Sequence, residues 1–244
     1  MAALDEIEAV FFDCYNTLID IRTDERSIET YRMVSAWLAY HGVSIDPVTL
    51  KYEYRRVCRD HFEGAGERFA EIRIEEVFSD ICSRHRIWRI DETTLGRGAA
   101  RTFRAASIRR KQAFPESLRL LEHLRGMPMG IVSNGQRVFS EQELRYLGLY
   151  DYFDTVVFSS DHGYQKPDPR LFAHALDAMR VAPEAVLFVG DSFENDILAP
   201  RTLGMRSMFI HDAWTIPDEG CREPSRPPAW EGAERAKDAG GTVP

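Results

Sequence analysis

The chain has 244 residues, 31 basic against 39 acidic, for a net charge of −8, and 44% of it is hydrophobic: enough for one main core and a smaller insertion. The acidic balance with no basic block excludes a nucleic-acid interface, and no apolar run approaches the roughly 20 residues a membrane span needs. Four cysteines without metal-ligand spacing or disulfide density, and an N-terminus lacking a basic stretch followed by an apolar one, predict a reduced, cytoplasmic protein.

Ala9-Val10-Phe11-Phe12 is a short β-rich apolar run, a buried strand that delivers Asp13 to a turn containing Asn16. Amphipathic runs near 24–42, 47–62, 67–86 and 92–111 follow, with no strand among them, and read as a helical insertion over residues 21–109. Strand and helix then alternate. Met129–Val132, Thr155–Phe158 and Ala185–Val189 are the strands, and about 116–126, 138–147, 169–180 and 194–203 the helices. That alternation predicts an α/β core of residues 1–20 and 110–216 built on a doubly wound parallel sheet, with the insertion lying over it as a cap. Beyond Trp214 the chain turns Pro/Gly-rich and polar, so 217–244 reads as a disordered or loosely docked tail.

The chemistry-bearing residues fall at the ends of predicted strands, where an open α/β sheet places its ligand crevice. Asp13, held in a sharp loop with Thr17 nearby, is a competent nucleophile toward phosphorus or carbon, although a lone Asp there also makes a turn. Ser133-Asn134-Gly135, between a strand and a helix, offers a hydroxyl and backbone N–H groups to an anion, or simply caps the helix. Lys166 sits in a Pro-bounded loop as a solvated lysine or as a cation that neutralises the nucleophile and the transferred group. Gly190-Asp191-Ser192-Phe193-Glu194-Asn195-Asp196 carries three acids, a density that suits Mg²⁺ held by hard oxygens. Asp191 is the candidate ligand, Asp196 a ligand or a supporting acid.

The order and spacing of these four segments resemble the haloacid dehalogenase-like hydrolases over about residues 7–212, the insertion falling where that superfamily has a helical cap. The resemblance implies attack by Asp13 on a small anionic phosphorylated substrate, an aspartyl-phosphate intermediate, and its hydrolysis by water. It also implies Mg²⁺ held by Asp13, the Tyr15 carbonyl, Asp191 and Asp196, with Thr17, Ser133 and Lys166 positioning the reacting groups and Asn134, Gly135 and Tyr15 facing substrate. One position departs from the pattern. Phosphatases of the superfamily carry a second Asp two residues after the nucleophile as general acid and base, where this chain has Tyr15. The Asp-x-Tyr-x-Thr form is similar to the metal-independent L-2-haloacid dehalogenases, which stand as an alternative that retention of Asp191 opposes. A weakly catalytic member binding a phosphorylated ligand or a partner is a second alternative.

Overall fold

Four consecutive buried residues, Ala9–Phe12, can form a strand only where both faces are covered, and they do so as the central strand β1. The structure, a computed structural model, describes residues 6–215; the predicted tail at 217–244 lies outside them. β1 is flanked on one side by β4 (Met129–Ser133) and β5 (Thr155–Phe158), and on the other by β6 (Val186–Gly190) and β7 (Arg206–Phe209). All neighbours are parallel, giving the order β5-β4-β1-β6-β7. The strand order reverses at β1, which opens a crevice at the carboxyl ends of β1, β4 and β6.

Helices α5 (Pro115–His123), α6 (Arg137–Tyr146) and α7 (Pro169–Met179) cover the sheet. One face buries Phe12, Leu121, Leu144 and Phe158; the other buries Phe11, Leu171, Phe172 and Phe188. Pro115 and Pro169 open their helices at positions where a missing N–H costs nothing.

The insertion holds α1 (Ile28–Tyr40), α2 (Pro47–Gly64), α3 (Ile74–His85) and α4 (Glu92–Ser107). Ser27, Asp46 and Asp91 cap α1, α2 and α4 with side-chain oxygens on early backbone N–H groups. The four helices bury an apolar core that holds Tyr31, Leu38, Leu50, Phe78, Ile81 and Phe103 and takes in Val138 of α6.

Three strands are absent from the sequence reading. Ile19–Thr23 (β2) and Ile108–Ala113 (β3) form an antiparallel ribbon where the chain enters and leaves the insertion. Their pairing spans about ninety residues and half-exposed polar positions, so neither local pattern announces it. β3 also shortens the helix expected over 92–111, which ends at Ser107. β7 is a four-residue edge strand with no fully buried side chain. The helix expected over 67–86 begins only at Ile74, because the residues before it turn at Arg68–Phe69 and bridge Ala70 to Tyr164 of the core.

Candidate active site at the carboxyl edge of the sheet

Asp13 follows β1 directly, and its N–H donates to the Val189 carbonyl of β6 (2.9 Å), which pins the Asp13 loop to the neighbouring strand. The loop closes on itself: the Leu18 and Ile19 N–H groups donate to the Cys14 carbonyl at 2.8 and 3.0 Å, and the Asn16 N–H to the Ile19 carbonyl at 2.8 Å. Asn16 takes φ 58°, a left-handed conformation that Asn tolerates better than most residues. Ser117 of α5 donates to the Thr17 carbonyl (2.6 Å) and accepts from Trp214 Nε1 (3.0 Å), so the loop is buttressed from below.

Lys166, only 3% exposed, reaches into the crevice between two carboxylates, its Nζ donating to Asp13 Oδ1 at 2.8 Å and to Asp196 Oδ1 at 2.7 Å. Burial works against its charge, but Asp13 and Asp196 outweigh that and hold its pKa above the ordinary value. The Lys166 loop is clasped by Asn134, whose Oδ1 accepts from the Lys166 N–H (2.7 Å) and whose Nδ2 donates to the Lys166 carbonyl (3.1 Å). Thr17 Oγ1 lies 3.4 Å from Asp13 Oδ2, and Ser133 ends β4 fully enclosed.

Asp13, Asp191 and Asp196 each present a carboxylate oxygen within 4.8 Å of the others. Three acids surround one ammonium, so negative charge is in excess at this point of the crevice. Burial pushes the Asp13 carboxyl up to about 6 against the pull of Lys166, with Asp196 adding to the rise. Asp191 is raised as well, by burial and then by repulsion from Asp196. A divalent cation would relieve both, and the all-oxygen donor set fits a hard ion such as Mg²⁺. Asp196 is already engaged at both oxygens, since Oδ2 accepts from the N–H groups of Asp191 (3.2 Å) and Ser192 (2.9 Å). It holds the loop and the lysine, while Asp13 and Asp191 keep oxygens available.

Gly135 and Tyr15 sit differently from the sequence expectation. The Gly135 N–H donates to Ser159 Oγ (3.0 Å), and that hydroxyl donates to Glu71 Oε2 (2.7 Å). The Tyr15 hydroxyl lies 2.7 Å from both Ser140 Oγ and Glu143 Oε2 of α6. A phenol has one proton and a carboxylate only accepts, so Tyr15 donates to Glu143 and accepts from Ser140. Burial and the neighbouring negative groups drive the Tyr15 pKa well up. A phenol so held is a poor proton donor to a leaving group.

Sequence reading missed Arg104, Glu143 and Glu71. Arg104 lies within the buried stripe of α4 that includes Ala100 and Phe103, and Glu143 beside Leu144 on the buried side of α6. Opposite charges on the apolar faces of two helices were the available signal.

A family model described as haloacid dehalogenase-like hydrolase matches residues 7–204. The chain is 35% identical over 104 residues to the glyceraldehyde 3-phosphate phosphatase of Methanothermobacter thermautotrophicus, covering 42% of this chain and 46% of that protein. It is 36% identical over 104 residues to the phosphoserine phosphatase of Thermus thermophilus, covering 42% of each. These matches thus span less than half the length of either relative. A longer one, 25% identical over 208 residues, covers 84% of this chain and 81% of the glyceraldehyde 3-phosphate phosphatase of Pyrococcus abyssi. Among solved structures, the 2-haloacid dehalogenase of Pseudomonas syringae superposes with a TM-score of 0.61 at 26% identity, over 89% of this chain and 92% of that one.

Proposed function

The chain belongs to the haloacid dehalogenase-like hydrolases, and from that premise we propose that it is a Mg²⁺-dependent phosphatase of a small phosphorylated metabolite. The observation that carries this reading is the trio Asp13, Asp191 and Asp196 around Lys166, an excess of negative charge on one side of a candidate nucleophile. The phosphatase names of the relatives point the same way.

In this reading Asp13 Oδ2 attacks phosphorus, the bond from phosphorus to the leaving oxygen breaks, and an aspartyl phosphate forms. Water then attacks phosphorus, and Asp13 is regenerated with release of phosphate. Lys166 neutralises the nucleophile and the transferred group, Thr17 lies beside the reacting carboxylate, Ser133 closes the neighbouring strand β4, and Asn134 fixes the lysine loop. Asp13, Asp191 and the Tyr15 carbonyl would hold Mg²⁺, which would supply charge neutralisation for the transferred phosphoryl group.

The Tyr15 hydroxyl is committed to Glu143, so the leaving group departs without protonation from position 15. General acid catalysis contributes typically 10²–10⁴-fold. Acyl phosphates and esters of acidic alcohols are therefore the expected class, with alkyl phosphates slower. The likeness to a 2-haloacid dehalogenase, together with Tyr15, favours one second reading, attack by Asp13 on carbon with loss of halide and no metal.

The test is phosphate release from acyl, aryl and alkyl phosphates, and halide release from 2-chloropropionate, each with Mg²⁺ and with EDTA. Metal-dependent phosphate release, abolished in Asp13→Asn and Asp191→Ala, is the expected result. Halide release that persists in EDTA would establish the second reading. Ligand binding without turnover of either kind would make the chain a binding member of its family.

A further inference from the structure

We propose that Arg104, Glu143 and Tyr15 form a relay that ties the helical insertion to the nucleophile loop, making Arg104 a positioning residue for Asp13. Arg104 projects from α4, and its Nε and Nη2 donate to Glu143 Oε1 (2.7 Å) and Oε2 (3.2 Å) on α6. The pair is deeply enclosed, with 10% and 4% of the two side chains exposed. Glu143 Oε2 also accepts from the Tyr15 hydroxyl, two residues along the chain from Asp13. The guanidinium lies over the Tyr15 ring at 5.3 Å and the Phe139 ring at 4.6 Å, and its Nη1 is 3.6 Å from Glu25, beside the exit of β2. One side chain of the insertion thus touches α6, the nucleophile loop's aromatic ring and the entry to the insertion.

The chemistry favours a positional role over a stabilising one. A buried ion pair loses much of its Coulombic gain to desolvation, and apolar replacements of such pairs are often neutral or stabilising. What a two-pronged guanidinium–carboxylate contact supplies is fixed relative orientation. Here it fixes α4 against α6 and presents the remaining acceptor capacity of Glu143 to Tyr15. The loop that Tyr15 anchors is short and hydrogen-bonded onto itself, so a shift of the Tyr15 ring is transmitted to the Asp13 carboxylate. α4 runs directly into β3, which pairs with β2 on the way out of that same loop, so the insertion reaches the nucleophile by two routes.

The proposal rests on the hydrolase reading for its kinetic consequence and is independent of it for its structural one, so the experiment reads both. Amide exchange by mass spectrometry is followed in wild type, Tyr15→Phe, Arg104→Lys and Arg104→Met. Steady-state phosphate release from an acyl phosphate with Mg²⁺ is measured on the same proteins and on the Tyr15→Phe, Arg104→Met double variant. Expected are faster exchange at the Asn16, Leu18 and Ile19 amides in every variant, and kcat lowered at least about tenfold with KM within about twofold. The double variant is expected to be no slower than the slower single, because residues acting as one unit are non-additive. Tyr15→Phe removes only a hydroxyl and Arg104→Lys keeps the charge, so a misfolded Arg104→Met leaves the test intact. Exchange changes confined to α4 and α6, or losses in kcat that simply multiply, overturn the relay. A wild type that releases no phosphate refutes the phosphatase reading alone; the exchange at the three loop amides then still supports or overturns the relay.

Discussion

Asp196 sits where it does because residue 190 has no side chain. A Cβ on Gly190 would lie 2.5 Å from the Cβ, Cγ and Oδ2 atoms of Asp196, whose oxygens are committed to Lys166 and to the N–H groups of Asp191 and Ser192. Gly190→Ala must therefore displace that carboxylate and, with it, Lys166. Overpacking of this kind costs about 1–3 kcal/mol, measurable by urea denaturation, and misplacement by an ångström near reacting groups costs on the order of 10²-fold in kcat. Unchanged kcat in a stably folded Gly190→Ala would show that Asp196 has no part in the chemistry. The Asp13 carboxyl gives a second prediction at this scale. Its folded pKa of about 6 lies above the ordinary 3.8, so the native state keeps a proton that the unfolded chain has released between those values. This group's contribution to stability is complete below pH 3.8 and lost as pH rises through 6. Cation binding competes with that same proton, so the rise in Tm on adding Mg²⁺ should be larger at pH 7.5 than at pH 5.5. In Asp13→Asn that difference should shrink; an equal Mg²⁺ effect at both pH values in wild type would show that Asp13 is not a ligand.

At the scale of elements, the strands that lead to Asp13, Ser133 and Asp191 were legible because each is a run of apolar residues that gives way to a polar one, a pattern that a sheet covered on both faces imposes locally. The segment 68–73 was not legible. Its non-helical course depends on partners far along the chain: the Gln165 N–H donates to the Phe69 carbonyl (2.8 Å), and the Glu71 N–H to the Gly163 carbonyl (3.0 Å). Gln136 adds two bonds, accepting from the Ile74 N–H (3.0 Å) and donating to the Ile72 carbonyl (2.9 Å). Glu71 closes this clasp, accepting from Ser159 Oγ at 2.7 Å and from Gln136 Nε2 at 3.1 Å. Glu71→Ala leaves both donors without that acceptor, at a cost of about 1–3 kcal/mol in urea unfolding. Protease nicking within 65–73 should also accelerate relative to cleavage elsewhere. If stability falls while nicking stays put, Glu71 supports Ser159 alone and the segment is held by its backbone bonds.

Across the whole molecule, the apolar core of the insertion takes in Val138 of α6, and polar groups of the two parts pair as well: Arg104 with Glu143, Glu71 with Ser159 and Gln136, and the backbone at Ala70 with that at Tyr164. Matched polar contacts of this kind, partly buried, are lost together when the two parts separate, because each half then leaves donors or acceptors unpaired. A helical layer and a sheet were legible from the two kinds of hydrophobic periodicity, whereas the pairing between them was not, since it depends on how two surfaces meet. The consequence is that the described chain should unfold as one cooperative unit. Gly96 is the place to ask, because α3 and α4 approach so closely there that a Cβ would lie 2.7 Å from Ser79 N and closer still to the Glu75 carbonyl oxygen. Gly96→Ala forces those helices apart inside the insertion, remote in sequence from the sheet, and should lower stability by about 1–3 kcal/mol. By calorimetry the whole endotherm should move down in temperature as a single peak with calorimetric and van't Hoff enthalpies in agreement. A second, lower-temperature peak appearing in Gly96→Ala would show that the helical layer melts by itself and that the contacts from Arg104 and Glu71 do not couple it to the sheet.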